Sequence, residues 1–356
     1  MPGEKKTSKP LSMADIADAV GLSKNAVSMA LRNDPRIPGA TRRRIRSAAD
    51  KLGYQYNPVV GELMAKLRIY NTNRKKSTIA IVNANNDPDA LRVHPTIPVY
   101  IEGCMRRADK LGYSLDTFWI HDPDIRGERL AKVLHTRNIR GVVIVGLMDE
   151  NHLPEHFKFI SSRFHCVVTG VRTRNPTLSF ACADHHALTL MAFEKSLELG
   201  YRRPGLVLDK KIDNLVDGRF TSGYLIGQRN VPRADWIHPF YDIDSALKEP
   251  GLFVHWVRKT KPDVVFTLYN VVKKWLESAK LSIPRDIGLI QLEWRSTHPD
   301  IAGMDQHNDI TGETAINMVI EAVHHDDARP PVHPKATLIS PVWRDGETVK
   351  RSSNGN

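Results

Sequence analysis

Between residues 77 and 350 the chain repeats one unit, a short apolar run followed by a longer stretch with helical spacing. Runs at 78–83, 115–119, 141–145, 166–169, 204–208, 263–267 and 287–291 read as strands, and stretches such as 97–111, 185–199 and 308–325 read as helices. "GVVIVG" has no polar residue at any position, the pattern of a strand buried on both faces. Strands of this kind alternating with helices predict parallel sheets covered by helices, because each parallel crossover needs a connection long enough to return across the sheet. At 356 residues the chain exceeds one ordinary core, so two or three domains are expected.

Residues 1–76 break this pattern and carry the charge. They hold 16 Lys/Arg and 6 Asp/Glu, leaving 35 of the 51 basic and 34 of the 40 acidic residues for the rest. A basic head on a neutral body suits a phosphate-backbone partner, because each Lys or Arg beside a phosphate releases condensed counterions. A solvated basic tail and an anionic-membrane patch are the competing readings. Within the head, "SMADIADAVG" offers Ser12 as N-cap, Met13, Ile16, Ala17 and Val20 on an apolar face, and Gly21 as the stop. Ser23 then caps "KNAVSMALR". Two short amphipathic helices around a glycine turn form a helix-turn-helix pattern, whose second helix enters the major groove by its N-terminal end.

In that second helix Ala26, Val27, Ala30 and Leu31 share the apolar face, whereas Met29 falls among Lys24, Asn25, Ser28 and Arg32 on the polar one. A methionine there either packs against the first helix or meets the nucleic acid. A third helix, "TRRRIRSAADKLGY", turns Ile45, Ala48, Ala49 and Leu52 inward and leaves Arg42, Arg43, Arg44 and Arg46 for phosphates. "YNPVVGELMAKLR" follows, with Asn57 and Pro58 as cap and first residue of a short helix that Gly61 weakens. Such a helix is marginal alone, since nucleation is costly.

From about Ser12 to Lys350 the chain resembles the LacI/GalR family of bacterial transcriptional regulators. In the head the resemblance rests on "MADIADAVGLSKNAVSMALR", "TRRRIRSAADKLGY" and the segment after them; in the core on "ADKLGYSLDTF", "IRGVVIVG", "ELGYRRPGLVL", "KPDVVFTLYN", "SIPRDIGLI" and "IAGMDQHN". It implies an all-α helix-turn-helix head with a hinge helix, joined to an α/β core of two parallel-sheet subdomains resembling periplasmic binding proteins. The implied division is a basic tail at 1–11, the DNA-binding domain at 12–56, hinge helix and linker at 57–76, the effector-binding and dimerisation core at 77–350, and a tail at 351–356. Within the core, one subdomain would hold about 77–172 and 301–326, and the other about 173–300 and 327–350, with three crossovers.

The resemblance also implies roles. Lys24, Asn25 and Met29 fall at base-reading positions, the third often being arginine in the family. Methionine would exchange a grip on guanine for apolar contact, as to a thymine methyl. Ser12, Ser23, Ser28, Arg32 and Thr41 would touch phosphates and fix register without reading sequence. Leu63 matches the leucine wedged into the minor groove at the operator centre, which kinks the duplex, although it would equally sit in the seam between paired hinge helices. Tyr56 stands where a proline is common, with Pro58 two residues on.

For the effector, Glu293 falls where an aspartate usually binds hydroxyls, and Asn270 at a cleft asparagine whose usual aspartate neighbour is here Val271. Arg219 lies one position before the usual arginine site, which Phe220 occupies, and His185 and Trp294 complete the candidates. Each is equally readable as ordinary packing.

No Walker A sequence, GxSxG, or GxGxxG in a strand-to-helix context is present. "ADHH" at 183–186 and "HHDD" at 324–327 contain metal-ligand residue types, but adjacent helical histidines point about 100° apart. Cys104, Cys166 and Cys182 are widely spaced and form no CxxC pair, so they read as reduced core thiols. Catalysis, a metal and a cofactor are therefore not expected. "GVVIVGLM" is too short for a bilayer, and "MPGEKKTSKP" lacks a secretory apolar core.

The expected protein is a cytoplasmic, nucleoid-associated bacterial repressor that binds a near-palindromic double-stranded DNA operator as a homodimer, with a carbohydrate-like effector and no membrane partner. The alternative is a sugar-binding sensory module whose basic head holds an anionic surface non-specifically.

Overall fold

In the computed structural model of the chain, residues 13–31, 36–52 and 77–351 are described. The chain separates into two compact units, Met1–Lys75 and Lys76–Asn356.

The first unit contains three helices, α1 (Met13–Val20), α2 (Lys24–Leu31) and α3 (Gly39–Leu52). Ile16, Ala17, Val27, Ala30, Ile45 and Ala49 form its buried centre, with Val20, Leu22, Leu31, Ala48 and Leu52 packed around them. The expected inward face of α3 is thus the observed one, as is that of α2 apart from half-buried Ala26; Met13 of α1 also stays outside the cluster. Gly21 adopts φ +64°, the left-handed conformation that ends α1 at little steric cost. The backbone N–H of Ala26 donates to Ser23 Oγ at 3.2 Å, capping α2. Arg44 has a structural role as well: its guanidinium donates to the Val20 carbonyl at 2.6 Å and satisfies an orphan acceptor at the end of α1. The tail at 1–11 and the hinge and linker at 57–76 lie outside the described residues.

The second unit holds two sheets. Strands β1 (Ser77–Asn83), β2 (Tyr113–Trp119), β3 (Gly141–Val145), β4 (His165–Thr169), β5 (Ser179–Ala183), β6 (Pro204–Val207), β7 (Val264–Thr267), β8 (Gly288–Gln291), β9 (Gly303–Asp305), β10 (Ala336–Ile339) and β11 (Val342–Arg344) follow in chain order. The first sheet has the order β10-β5-β4-β3-β1-β2 and is parallel throughout; the second, β11-β9-β8-β7-β6, is parallel except for β11. Register is fixed by alternation, with Ile81 on β1 between Thr117 on β2 and Val143 on β3. Ile79 and Ile81 enter one hydrophobic cluster, and Ala80 and Val82 enter another on the opposite face. Helices Ile97–Lys110 and Asn308–His325 cover the first of these faces and pack on each other.

All seven expected strands form within a few residues of their expected bounds; β5, β9, β10 and β11 were not foreseen. β9 and β11 are only three residues long, and β10 and β11 lie half exposed at sheet edges, whereas β5 is a buried five-residue interior strand that the apolar spacing passed over. The three sheet-to-sheet crossings occur, but the implied subdomain segments are corrected at three strands. β5 pairs with β4 in the first sheet, β9 with β8 in the second, and β10 with β5 in the first. Apolar periodicity identifies a strand without naming its partner, because pairing is a long-range contact.

Candidate nucleic-acid interface and effector cavity

The head's structure sorts α2 by face. Val27 and Ala30 are fully buried, whereas Lys24 is exposed and Met29 half-buried outside the apolar cluster. Ser23 is exposed beside the start of α2 with its Oγ used as a cap, and Thr41 is half-buried in the first turn of α3. Ser12, Arg32 and Leu63, and the side chains of Asn25 and Ser28, lie outside the described residues.

In the second unit a cavity of about 460 Å³ opens between the two sheets. Its walls come from the segments that follow β1, β3, β5, β6, β7, β8 and β9 and from the end of β4 and the residues just after it, the carboxyl ends of parallel strands where a ligand crevice forms in open α/β sheets. Of the expected effector residues, His185, Asn270 and Glu293 line it. Arg219 and Trp294 do not, and both are corrected. The Arg219 guanidinium donates to Cys182 Sγ at 3.2 Å and lies over the Phe180 ring, while its neighbour Phe220 reaches the cavity. The Trp294 ring is covered by the Arg344 guanidinium at 5.3 Å. Helical geometry explains the first correction, since residues adjacent on a helix point about 100° apart.

Glu293 is the hub of a polar cluster that sequence reading missed. Its Oε1 accepts from the Thr96 hydroxyl at 2.7 Å and from Asn308 Nδ2 at 3.1 Å, and its Oε2 from the Arg295 guanidinium at 2.7 Å. Thr96 and Asn308 stand at the starts of the two helices covering the first sheet, whereas Glu293 follows β8 of the second. The carboxylate therefore ties one subdomain to the other. His94 Nδ1 accepts from the backbone N–H groups of Thr96 and Ile97 at 3.1 and 3.4 Å, so that nitrogen carries no proton. Burial, more than the opposing field of Glu293, holds this imidazole below its ordinary value. The spacing Glu293-x-Arg295 was the one available signal, because alternate residues of an extended segment lie on one side.

His185 is 6% exposed, packs against Phe220 with ring centroids 4.6 Å apart and planes tilted by 49°, and has no partner for Nδ1. Burial, with a smaller contribution from the Arg219 charge, pushes it down to about 3 from 6.5. Above pH 6.5 it is neutral whether folded or unfolded, and its contribution to stability is fully present. As pH falls below 6.5 the unfolded chain takes up a proton that the folded core refuses, and stability falls by about 1.4 kcal/mol per pH unit. A His185→Phe variant should therefore lose stability less steeply between pH 6.5 and 4.5 in urea titrations. Equal slopes would show that His185 does not stay neutral.

His186 points elsewhere, its Nδ1 2.9 Å from Ser222 Oγ, and His324 Nε2 lies 2.9 Å from the Tyr113 hydroxyl. All three cysteines are free and buried, and burial raises each thiol, Cys104 to about 12. Among the described residues no helix is long and apolar enough to cross a membrane.

Residues 12–57 match the family model described as bacterial regulatory proteins, lacI family. The HTH-type transcriptional regulator MalR of Streptococcus pneumoniae serotype 4 is 22% identical over 243 residues, 68% of this chain and 70% of that protein. The HTH-type transcriptional regulator GntR of Escherichia coli K12 is 27% identical over 177 residues, 49% of this chain and 48% of that protein. Among solved structures, a transcriptional regulator CelR–cellobiose complex is similar with a TM-score of 0.58 and 16% identity, covering 95% of this chain and all of that one. A lac repressor dimer bound to operator and the anti-inducer ONPF has a TM-score of 0.57 and 15% identity, covering 96% of this chain and all of that one. Both of these relatives are transcriptional regulators.

Proposed function

We propose that this chain, a transcriptional regulator of the lacI family, represses from a near-palindromic DNA operator as a homodimer, under control of a small molecule held between its two sheets. The observation that carries this reading is the division of α2, with Val27 and Ala30 in the core and Lys24 and Met29 outside it. Lys24, Asn25 and Met29 are assigned to bases, and Ser12, Ser23, Ser28, Arg32 and Thr41 to phosphates. A two-fold dimer presents two such helices to matching half-sites. Exposed Met105 and Ile310, sequence neighbours of the Arg106–Asp309 ion pair, are apolar side chains that a partner subunit would cover. Such a protein works in the cytoplasm, at the nucleoid.

The effector acts through differential affinity for two arrangements of the subdomains. Glu293 supports this, since a ligand that displaces Thr96 or Asn308 from its carboxylate releases one sheet from the other. The resemblance favours a carbohydrate-like effector, whose hydroxyls would have to compete for Glu293 with the partners already there.

Selection of bound duplexes from a random DNA pool at near-physiological salt tests the reading. An enriched palindrome with a deformable centre is expected; binding that selects no sequence and fades steeply with salt would favour the sensory module instead. At that operator, Leu63→Ala should weaken specific binding about tenfold or more while sparing non-specific binding, because the kink loses its wedge. Unchanged specific affinity and bending would return Leu63 to the hinge seam.

A further inference from the structure

A second concavity, of about 630 Å³, lies at the other end of the first sheet from the cavity between the sheets. It is built from the helix Glu128–Thr136, from the residues just before β3, from Arg163 and Phe164 just before β4, and from Arg329 ahead of β10. It therefore stands at the amino ends of strands whose carboxyl ends form the crevice.

Its charge departs from that of the chain around it. Beyond residue 76 basic and acidic residues nearly balance, 35 against 34, whereas this lining sets Lys132, Arg140, Arg163 and Arg329 against Glu128. Lys132 and Arg163 have no carboxylate partner among the described residues; Arg163 lies instead over the Phe159 ring at 4.7 Å. Arg140 and Arg329 converge on one oxygen, Asp326 Oδ1, at 3.1 and 3.4 Å. An oxyanion oxygen thus already stands between two guanidinium groups. It belongs to an exposed side chain that closes the helix Asn308–His325 at φ +53°, and water can replace it at little cost. The deeper lining is apolar, with Ala131, Ile139 and Phe164 buried.

We propose that this concavity binds an organic phosphate, a phosphate monoester on a compact apolar body, at a site separate from the cavity between the sheets. A dianion matches the surplus of positive charge, and guanidinium groups pair with two phosphate oxygens at once, where Asp326 offers them one. Exposed ion pairs contribute little by themselves, so covering Ile139 and Phe164 supplies much of the affinity. The volume is that of a small-molecule site.

Titration calorimetry of the full chain with phenyl phosphate, at about 0.1 M salt to screen diffuse attraction, tests the site. Saturable binding is expected, about tenfold or more tighter than that of inorganic phosphate. Lys132→Glu and Arg163→Glu, both at exposed positions, should each weaken it about tenfold and leave the melting temperature near that of the wild type. Asp326→Asn should tighten it several-fold, because the internal carboxylate no longer competes for Arg140 and Arg329, and asparagine tolerates the left-handed backbone. Damage to the fold gives no such gain. Binding indifferent to all three substitutions belongs to the basic head or to the crevice and overturns the proposal, as does the absence of saturable binding. Equal affinity for inorganic phosphate overturns the organic body. If Arg163→Glu weakens a duplex of random sequence as much as it weakens phenyl phosphate, the surface serves a nucleic-acid backbone and the small-molecule assignment fails.

Discussion

Replacing Gly312 by alanine is expected to destabilise the core by about 3 kcal/mol or more. Helices Ile97–Lys110 and Asn308–His325 approach each other backbone to backbone, and a Cβ at Gly312 would stand 2.0 Å from the Tyr100 carbonyl oxygen. The contact is reciprocal, for a Cβ at Gly103 would lie 1.8 Å from the carbonyl oxygen of Asp309. Neither obstacle is a side chain that can turn away, so the helices must part. Separation would break the hydrogen bond from Cys104 Sγ to the Gly312 carbonyl at 3.4 Å and disturb the Arg106 pairs with Asp309 and Glu313. It would also shift Thr96 and Asn308, which hold Glu293 from the same two helices. Urea unfolding measures the loss, and Gly251→Ala is the control. A Cβ there has no neighbour within 4 Å, so a change within about 1 kcal/mol is expected. Wild-type stability in Gly312→Ala would refute the close-packed crossing.

The second large effect concerns specificity. Met29→Arg should install a new preference, for guanine, at one position in each half-site, with discrimination of about 1–3 kcal/mol, because arginine donates two hydrogen bonds to guanine O6 and N7. Head stability should change little, since Met29 lies outside the cluster of Ile16, Val27 and Ile45. Repeating the duplex selection with the variant reads both the position and the size of the change. An unaltered motif would show that Met29 does not reach the bases, leaving Lys24 and Asn25 to carry recognition.

Sequence reading succeeded wherever the deciding interaction is local. Ser23 caps α2 because its hydroxyl lies three residues from the N–H it accepts, and Gly21 stops α1 because no Cβ opposes a left-handed φ. β3 could be read residue for residue, since a strand buried on both faces has no polar position to blur it. The head's fold followed for the same reason, three short amphipathic helices having one way to bury Ile16, Val27 and Ile45 together. In the cavity, His185, Asn270 and Glu293 were legible by matching position.

The long-range choices belong to the tertiary structure. β5 and β10 join the first sheet and β9 the second because strands select partners across wide sequence separations, and apolar spacing carries no mark of that choice. Arg44 was one of four similar arginines until the end of α1 came within 2.6 Å of it. Arg219 and Phe220 exchanged roles through the 100° between neighbours on a helix, which decides which side chain faces the cavity. Thr96 and Glu293, 197 residues apart, meet only because three crossings fold the first sheet against the second. The sequence by itself thus determined the head's helices, seven of the strands and the polar face of α2, which local geometry controls. Tertiary structure alone decided the cavity's lining and the tie across it, which depend on contacts between distant segments.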